Sequence, residues 1–180
     1  MASVLQLTKT LVARPVPLSL PQVGVRAYQG PADMGSWLEL RSRAFARQKL
    51  GVRHWNEADF AAEFLAKSWW RSDWMWFAEH LPADGSSPHV IGSVTLAIRG
   101  HLPEADKRQG SDTLTGKGVV HWLAVLPRER RRGVGRLLMD TLEAAAWDAD
   151  FRQVSLETHA AWGEAVEFYD TLGYRAEANG

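Results

Sequence analysis

The stretch GVVHWLAVLPRERRRGVGRLLMDTLEAAAWD, from Gly118 to Asp148, changes character twice. Val119 to Val125 shows little polar alternation, as a central strand covered on both faces would. PRERRR interrupts it, and beyond Gly133 the residues Val134, Leu137, Leu138, Leu142 and Ala145 recur at helical spacing. The pattern predicts a helix packed on a sheet by that stripe, with Asp140, Glu143 and Asp148 turned toward water.

The turn between strand and helix suits an anion. The first four N–H groups of a helix lack intrahelical partners, and the peptide dipoles put about half a positive charge there. Gly133 and Gly135 carry no side chain to block a diphosphate approaching those amides. Arg130, Arg131, Arg132 and Arg136 add mobile positive charge, and a guanidinium pairs with phosphate oxygens in two-pronged fashion. A solvated basic loop is the plain alternative. A dinucleotide fingerprint is a second, with Glu157 at the spacing of a ribose-binding acid, but Leu138 stands where a third small residue is needed and too little chain follows. The run from Gly110 to Lys117 fails as a P-loop, because Gly118 replaces Ser or Thr and a strand follows.

Arg130 to Gly135 fits the Q/R-x-x-G-x-G/A turn of the GNAT superfamily of acyl-CoA-dependent N-acyltransferases. The strand HWLAVLP resembles that family's central strand, and AVEFYDTLGY, Ala165 to Tyr174, resembles its closing helix and strand start. The resemblance spans roughly His89 to Arg175. It implies an α/β (α+β) fold with a mixed, mostly antiparallel sheet flanked by helices, in the order β-α-α-β-β-β-α-β-α-β. It also implies N-acetyl transfer from acetyl-CoA, the co-substrate, to a primary amine by direct attack in a ternary complex. In such proteins the central strand splays from its neighbour, so backbone near Leu123, Ala124 and Val125 would bond the pantetheine arm, and an amide near Val125 would face the developing oxyanion. The pyrophosphate would rest on Arg130, Arg131, Arg132, Gly133, Val134, Gly135 and Arg136.

Acyl transfer to an amine needs an acid for the departing thiolate and a base for the ammonium. The family's tyrosine acid falls on Tyr169 by resemblance, and a phenol is a suitable donor. Ala165, Phe168, Tyr169 and Leu172 also share helical spacing, so packing is the competing role. His121, Glu157 and His159 are candidate bases, with Ser155, Glu157 and His159 on one face of their strand, and a water chain could serve instead. Trp162 stands where the family often has Asn. A non-catalytic acyl-CoA-binding sensor or interaction module is the alternative function.

With 180 residues the chain fits one domain, read as 23–180, preceded by 1–22 as an arm or edge strand because Pro15, Pro17 and Pro21 disfavour a central strand. Lys+Arg and Asp+Glu balance at 21 each, so no global field favours a nucleic-acid or membrane partner. Without cysteine there is no disulfide, thiolate metal site or thiol nucleophile, and the 6 histidines lack metal-ligand spacing, so no metal is expected. No signal-like or bilayer-spanning run is apparent, which reads as cytoplasmic. The expected partner is a small-molecule or peptide amine, and the arm leaves a homodimer open.

Gly24 to Tyr28 reads as a strand, Ala32 to Gln48 as a helix, Asn56 with Asp59 as a second helix start, and Trp74 to Glu79 with His89 to Arg99 as a hairpin. Gln153 to His159 reads as a strand, and Gly163 to Leu172 as a helix capped by Gly173 before a short strand. The polar run from Gly100 to Gly116 is long for a connection. Five tryptophans between positions 55 and 76 (Trp55, Trp69, Trp70, Trp74, Trp76) read as packing, with an acceptor pocket as the alternative.

Overall fold

The apolar strands assemble into one seven-stranded sheet in the order β2-β3-β4-β5-β6-β1-β7. A computed structural model describes residues 3–46, 53–99 and 116–176, so nearly all of the 100–116 run lies outside the described residues. The strands are β1 (Val4–Thr10), β2 (Val23–Ala27), β3 (Met75–His80), β4 (His89–Arg99), β5 (Lys117–Val125), β6 (Gln153–His159) and β7 (Arg175–Ala176). The helices are α1 (Pro31–Ala44), α2 (Glu57–Phe60), α3 (Val134–Asp148) and α4 (Gly163–Thr171). Every neighbouring pair is antiparallel except β5 with β6. From β2 onward the elements follow the order expected from the sequence.

β1 departs from that expectation. It pairs with β6 along its whole length, from Val4 opposite His159 to Thr10 opposite Gln153, and β7 flanks its other side at Leu7 and Thr8. It is therefore an interior strand. The prolines fall after it, in an extended strap that runs antiparallel along α3. Arg14 donates twice to Asp148 at 2.8 Å near the end of α3, the Leu18 amide donates to Asp140, and Leu20 reaches Gly133 at its start. The strap and β1 cover a side of α3 that the helical pattern assigns to water. Asp140 and Glu143 are 9% and 1% exposed, the reverse of the expectation. Glu143 accepts from Lys9 Nζ of β1 at 2.6 Å and from the Tyr174 hydroxyl at 2.9 Å. Burial raises the Asp140 carboxyl above its ordinary pKa despite Arg136.

Two apolar layers follow from strand alternation. Leu138, Met139, Leu142 and Ala146 of α3 pack with Val94, Leu96, Val154 and Leu156 on one face. Trp37 of α1, Phe60 of α2 and Phe64 pack with Met75 and Phe77 on the other. Asn56 caps α2 as expected: its side chain accepts the Asp59 amide while the Asp59 carboxylate accepts the Asn56 amide. Instead of continuing as an α-helix, the segment passes into a π-helical turn at Ala61–Leu65.

Candidate active site

β5 is irregular on both edges. Among the described residues it pairs toward β6 only at Gly118 with Val154 and Val119 with Ser155, so the rest of that edge, through Val125, has no strand partner among them. Toward β4, Ser93 faces Ala124 while Thr95 faces His121, which leaves Trp122 and Leu123 opposite Val94 alone. This is a β-bulge, and Trp122 takes a left-handed φ of 53° within it. A non-glycine residue held there costs on the order of 1–3 kcal/mol. The bulge lets two consecutive side chains share one face. The His121 ring lies 5.5 Å from Phe64 and 5.3 Å from Trp69, and the Trp122 ring lies 5.9 Å from Trp37 and 5.2 Å from Trp55.

Glu63 of the π-helical turn joins this pair. Its Oε1 accepts from Trp122 Nε1 at 2.9 Å and lies 2.9 Å from His121 Nε2, an ion-pair distance with the imidazole N–H off the ideal line. The neighbouring His121, opposed by burial and aided by the Trp122 N–H, holds the carboxyl below its ordinary pKa. Sequence reasoning passed over Glu63. The signal was present, because Phe60, Glu63 and Phe64 stand at i, i+3 and i+4, which puts the acid on the buried face. The tryptophans serve largely as packing: the Arg41 guanidinium sits 4.0 Å from the Trp55 ring centroid and 5.1 Å from that of Trp122.

At the other end of β5 the chain enters α3 through Gly133, whose φ of 87° makes glycine the natural occupant. Among the described residues no side chain caps α3, so its first amides meet no acceptor from a cap there. Gly135 has a structural use as well, since a Cβ there would meet the Phe168 ring of α4 at 3.1 Å. The arginines are less mobile than a charge run implies. Arg130 donates to the carbonyls of Ala44 at 2.7 Å and Val125 at 3.3 Å, Arg132 pairs with Glu129, and Arg136 lies 3.8 Å from Asp140. Arg131, at a φ of 60°, is exposed.

Leu123, Ala124 and Val125 thus lie on the unpartnered edge that leads into the turn 130–136, with His121 near the bulge at its far end. Tyr169 stands on α4 beside the turn, its ring 5.3 Å from Phe168 and 5.9 Å from Tyr174, and burial pushes its phenol above the ordinary pKa. Glu157 is engaged elsewhere. It accepts from Gln6 and Arg99, both at 2.5 Å, and these hold its carboxyl below the usual range. His159 packs 4.8 Å from Trp162, and its buried Nδ1 has no hydrogen-bond partner among the described residues. Trp162 also stacks on Phe45 at 6.4 Å. Chemically, the arrangement offers amides for an anion, an open strand edge for an extended ligand arm, and titratable groups near the bulge.

The acetyltransferase (GNAT) family model matches residues 39–174. A mycothiol acetyltransferase of Tsukamurella paurometabola is 30% identical over 160 residues, covering 89% of this chain and 51% of that relative. One from Acidothermus cellulolyticus is 28% identical over 174 residues, covering 95% and 50%. The chain spans about half the length of these curated relatives. The crystal structure of a GCN5-related N-acetyltransferase from Sphaerobacter thermophilus superposes with a TM-score of 0.71 at 16% identity, over 97% of this chain and 48% of that one. The bulged strand, the glycine turn and the uncapped helix sit within the matched span: the chain belongs to the acetyltransferase (GNAT) family.

Proposed function

We propose that the protein transfers an acetyl group from acetyl-CoA to a primary amine of a small molecule or peptide. The observation that carries this reading is the unpartnered edge of β5 opening onto the uncapped start of α3. Backbone at Leu123, Ala124 and Val125 takes the pantetheine arm as a strand partner would. The amides from Gly133 onward, with Val134, Gly135, Arg131, Arg132 and Arg136, take the pyrophosphate. Arg130 acts by holding the turn to α1 and β5.

In the reaction the amine nitrogen bonds to the thioester carbonyl carbon and the C–S bond breaks. The ammonium first loses one proton to His121; after attack the nitrogen loses a second as the C–S bond breaks, and that proton replaces the one Tyr169 gives to the departing thiolate. Glu157, already paired with Arg99 and Gln6, is the weaker candidate base.

The test is thermal unfolding with acetyl-CoA, with NAD as control, followed by thiol release across an amine panel. Ligand at one hundred times its dissociation constant adds about 2.7 kcal/mol, a rise of roughly 5 to 11 °C for a domain of this size. A shift with acetyl-CoA and thiol release on adding amine support the enzyme. The packing of Tyr169 against Phe168 and Tyr174 favours the second reading, a non-catalytic acyl-CoA-binding module, which would show the shift without thiol release. No shift would remove both.

A further inference from the structure

We propose that Glu63 anchors the acceptor, and that the acceptor is therefore a positively charged primary alkylamine. This rests on the acetyltransferase reading above.

Trp122 Nε1 donates to Glu63 Oε1, and His121 Nε2 lies 2.9 Å from the same oxygen. Among the described residues no hydrogen bond or ion pair engages Oε2. The side chain is 29% exposed, so it is open to a ligand, and no Lys or Arg of the described residues comes within ion-pair distance. The groups of basic character around it are the His121 imidazole in contact, with Lys67 on its own segment and the buried Arg41 of α1 acting at longer range. Trp122, Phe64 and Trp69 line the same place, the latter two through their contacts with His121. An anion with an unused oxygen among aromatic rings attracts an ammonium group twice, by charge and by the ring quadrupoles.

Two local departures from regular structure bring the groups together. The π-helical turn carries Glu63, and the bulge puts His121 and Trp122 on one face with Trp122 in a costly backbone conformation. Irregularities of both kinds concentrate at functional sites. Thr95 Oγ1, buried and without a hydrogen-bond partner among the described residues, lies on β4 in register with His121.

The experiment compares a primary alkylamine, charged at pH 7, with an arylamine, neutral at that pH, in wild type and Glu63→Gln. The substitution removes the charge while keeping an oxygen for the Trp122 N–H. In the variant kcat/KM for the alkylamine should fall about 10- to 100-fold, the loss expected of one charge-assisted hydrogen bond. The arylamine should change less than about threefold, and the acetyl-CoA thermal shift should persist. In wild type, tetramethylammonium should compete with the alkylamine, whereas a neutral alcohol of similar shape should not. That arm decides the matter should the variant fail to fold. Wild type that favours the arylamine, an unchanged alkylamine kcat/KM in a folded variant, or no inhibition by tetramethylammonium would overturn the anchor while leaving acetyl transfer standing. Absence of thiol release from wild type with either amine would instead overturn the acetyltransferase reading.

Discussion

Replacing Lys9 by methionine should lower the thermal unfolding midpoint by roughly 4 to 12 °C. The Glu143 side chain is 1% exposed and has two donors, the Lys9 ammonium at 2.6 Å and the Tyr174 hydroxyl at 2.9 Å. Removing the ammonium strands a buried carboxylate on one neutral donor. Breaking a buried pair in this way costs about 3–5 kcal/mol. Lys9 is 24% exposed, so water can reach the vacated position, and screening discounts the cost to about 2–3 kcal/mol. At about 2–4 °C per kcal/mol for a chain of this size, the stated shift follows. Thermal scans by circular dichroism of wild type, Lys9→Met, Glu143→Gln and the double variant close the cycle. The double variant should recover much of the loss, because a neutral amide no longer needs the cation. Additive single effects, or a Lys9→Met shift below about 1 °C, would refute the reasoning and with it the placement of β1 inside the sheet.

Tyr169→Phe should reduce kcat at least about 100-fold while acetyl-CoA affinity by calorimetry stays the same, and equal turnover would take Tyr169 out of the mechanism. Gly133→Glu should abolish the acetyl-CoA thermal shift, because it adds bulk and negative charge at the start of α3, where Leu20 already stands 3.1 Å from a Cβ position; retained binding would put the diphosphate elsewhere. Asp33 supplies a pH dependence. Burial opposes its ionisation, but Arg26 at 2.7 and 2.8 Å and the Gln29 amide outweigh burial and hold the carboxyl below its ordinary value. A depressed folded pKa means that the stabilisation is complete above the unfolded value of about 4 and is lost as pH falls through the folded one. The gap in urea-unfolding free energy between wild type and Asp33→Asn should therefore be full near pH 7 and close in acid, and a gap independent of pH would exclude the charge as its source.

Local chemistry made much of the fold legible. His89–Arg99 and Gln153–His159 are strands with the bounds their alternation implies, and Asn56 with Asp59 forms the cap its spacing suggests. The glycine turn is likewise a short-range pattern, and Gly133 does occupy a left-handed φ at the head of α3. What escaped depends on distant partners. Asp140 and Glu143 look solvated until β1 and the strap are laid over α3, and Arg130 looks mobile until Ala44, 86 positions away, accepts from it. The pairing of His121 with Trp122 on one face needed a bulge, which no period of two foretells, and Glu63, though at helical spacing with Phe60 and Phe64, sits in a turn of π pitch. Those two breaks in regularity fall at the proposed acceptor site, where strain has a use.

The place of β1 has a cost in time. Gln6 and Glu157, joined across β1 and β6, are 151 positions apart. At synthesis rates of about 5–20 residues per second, a nascent β1 waits about 8 to 30 s for the strand it pairs with. During that interval Leu5, Leu7 and Leu11 have no sheet to enter, and the same segment, free on a finished neighbour, fits the same slot. Non-local pairing of this kind slows folding and exposes adhesive strand edges. At high expression the chain should accumulate species in which one molecule's first strand completes another's sheet, and dilute refolding should favour the monomer.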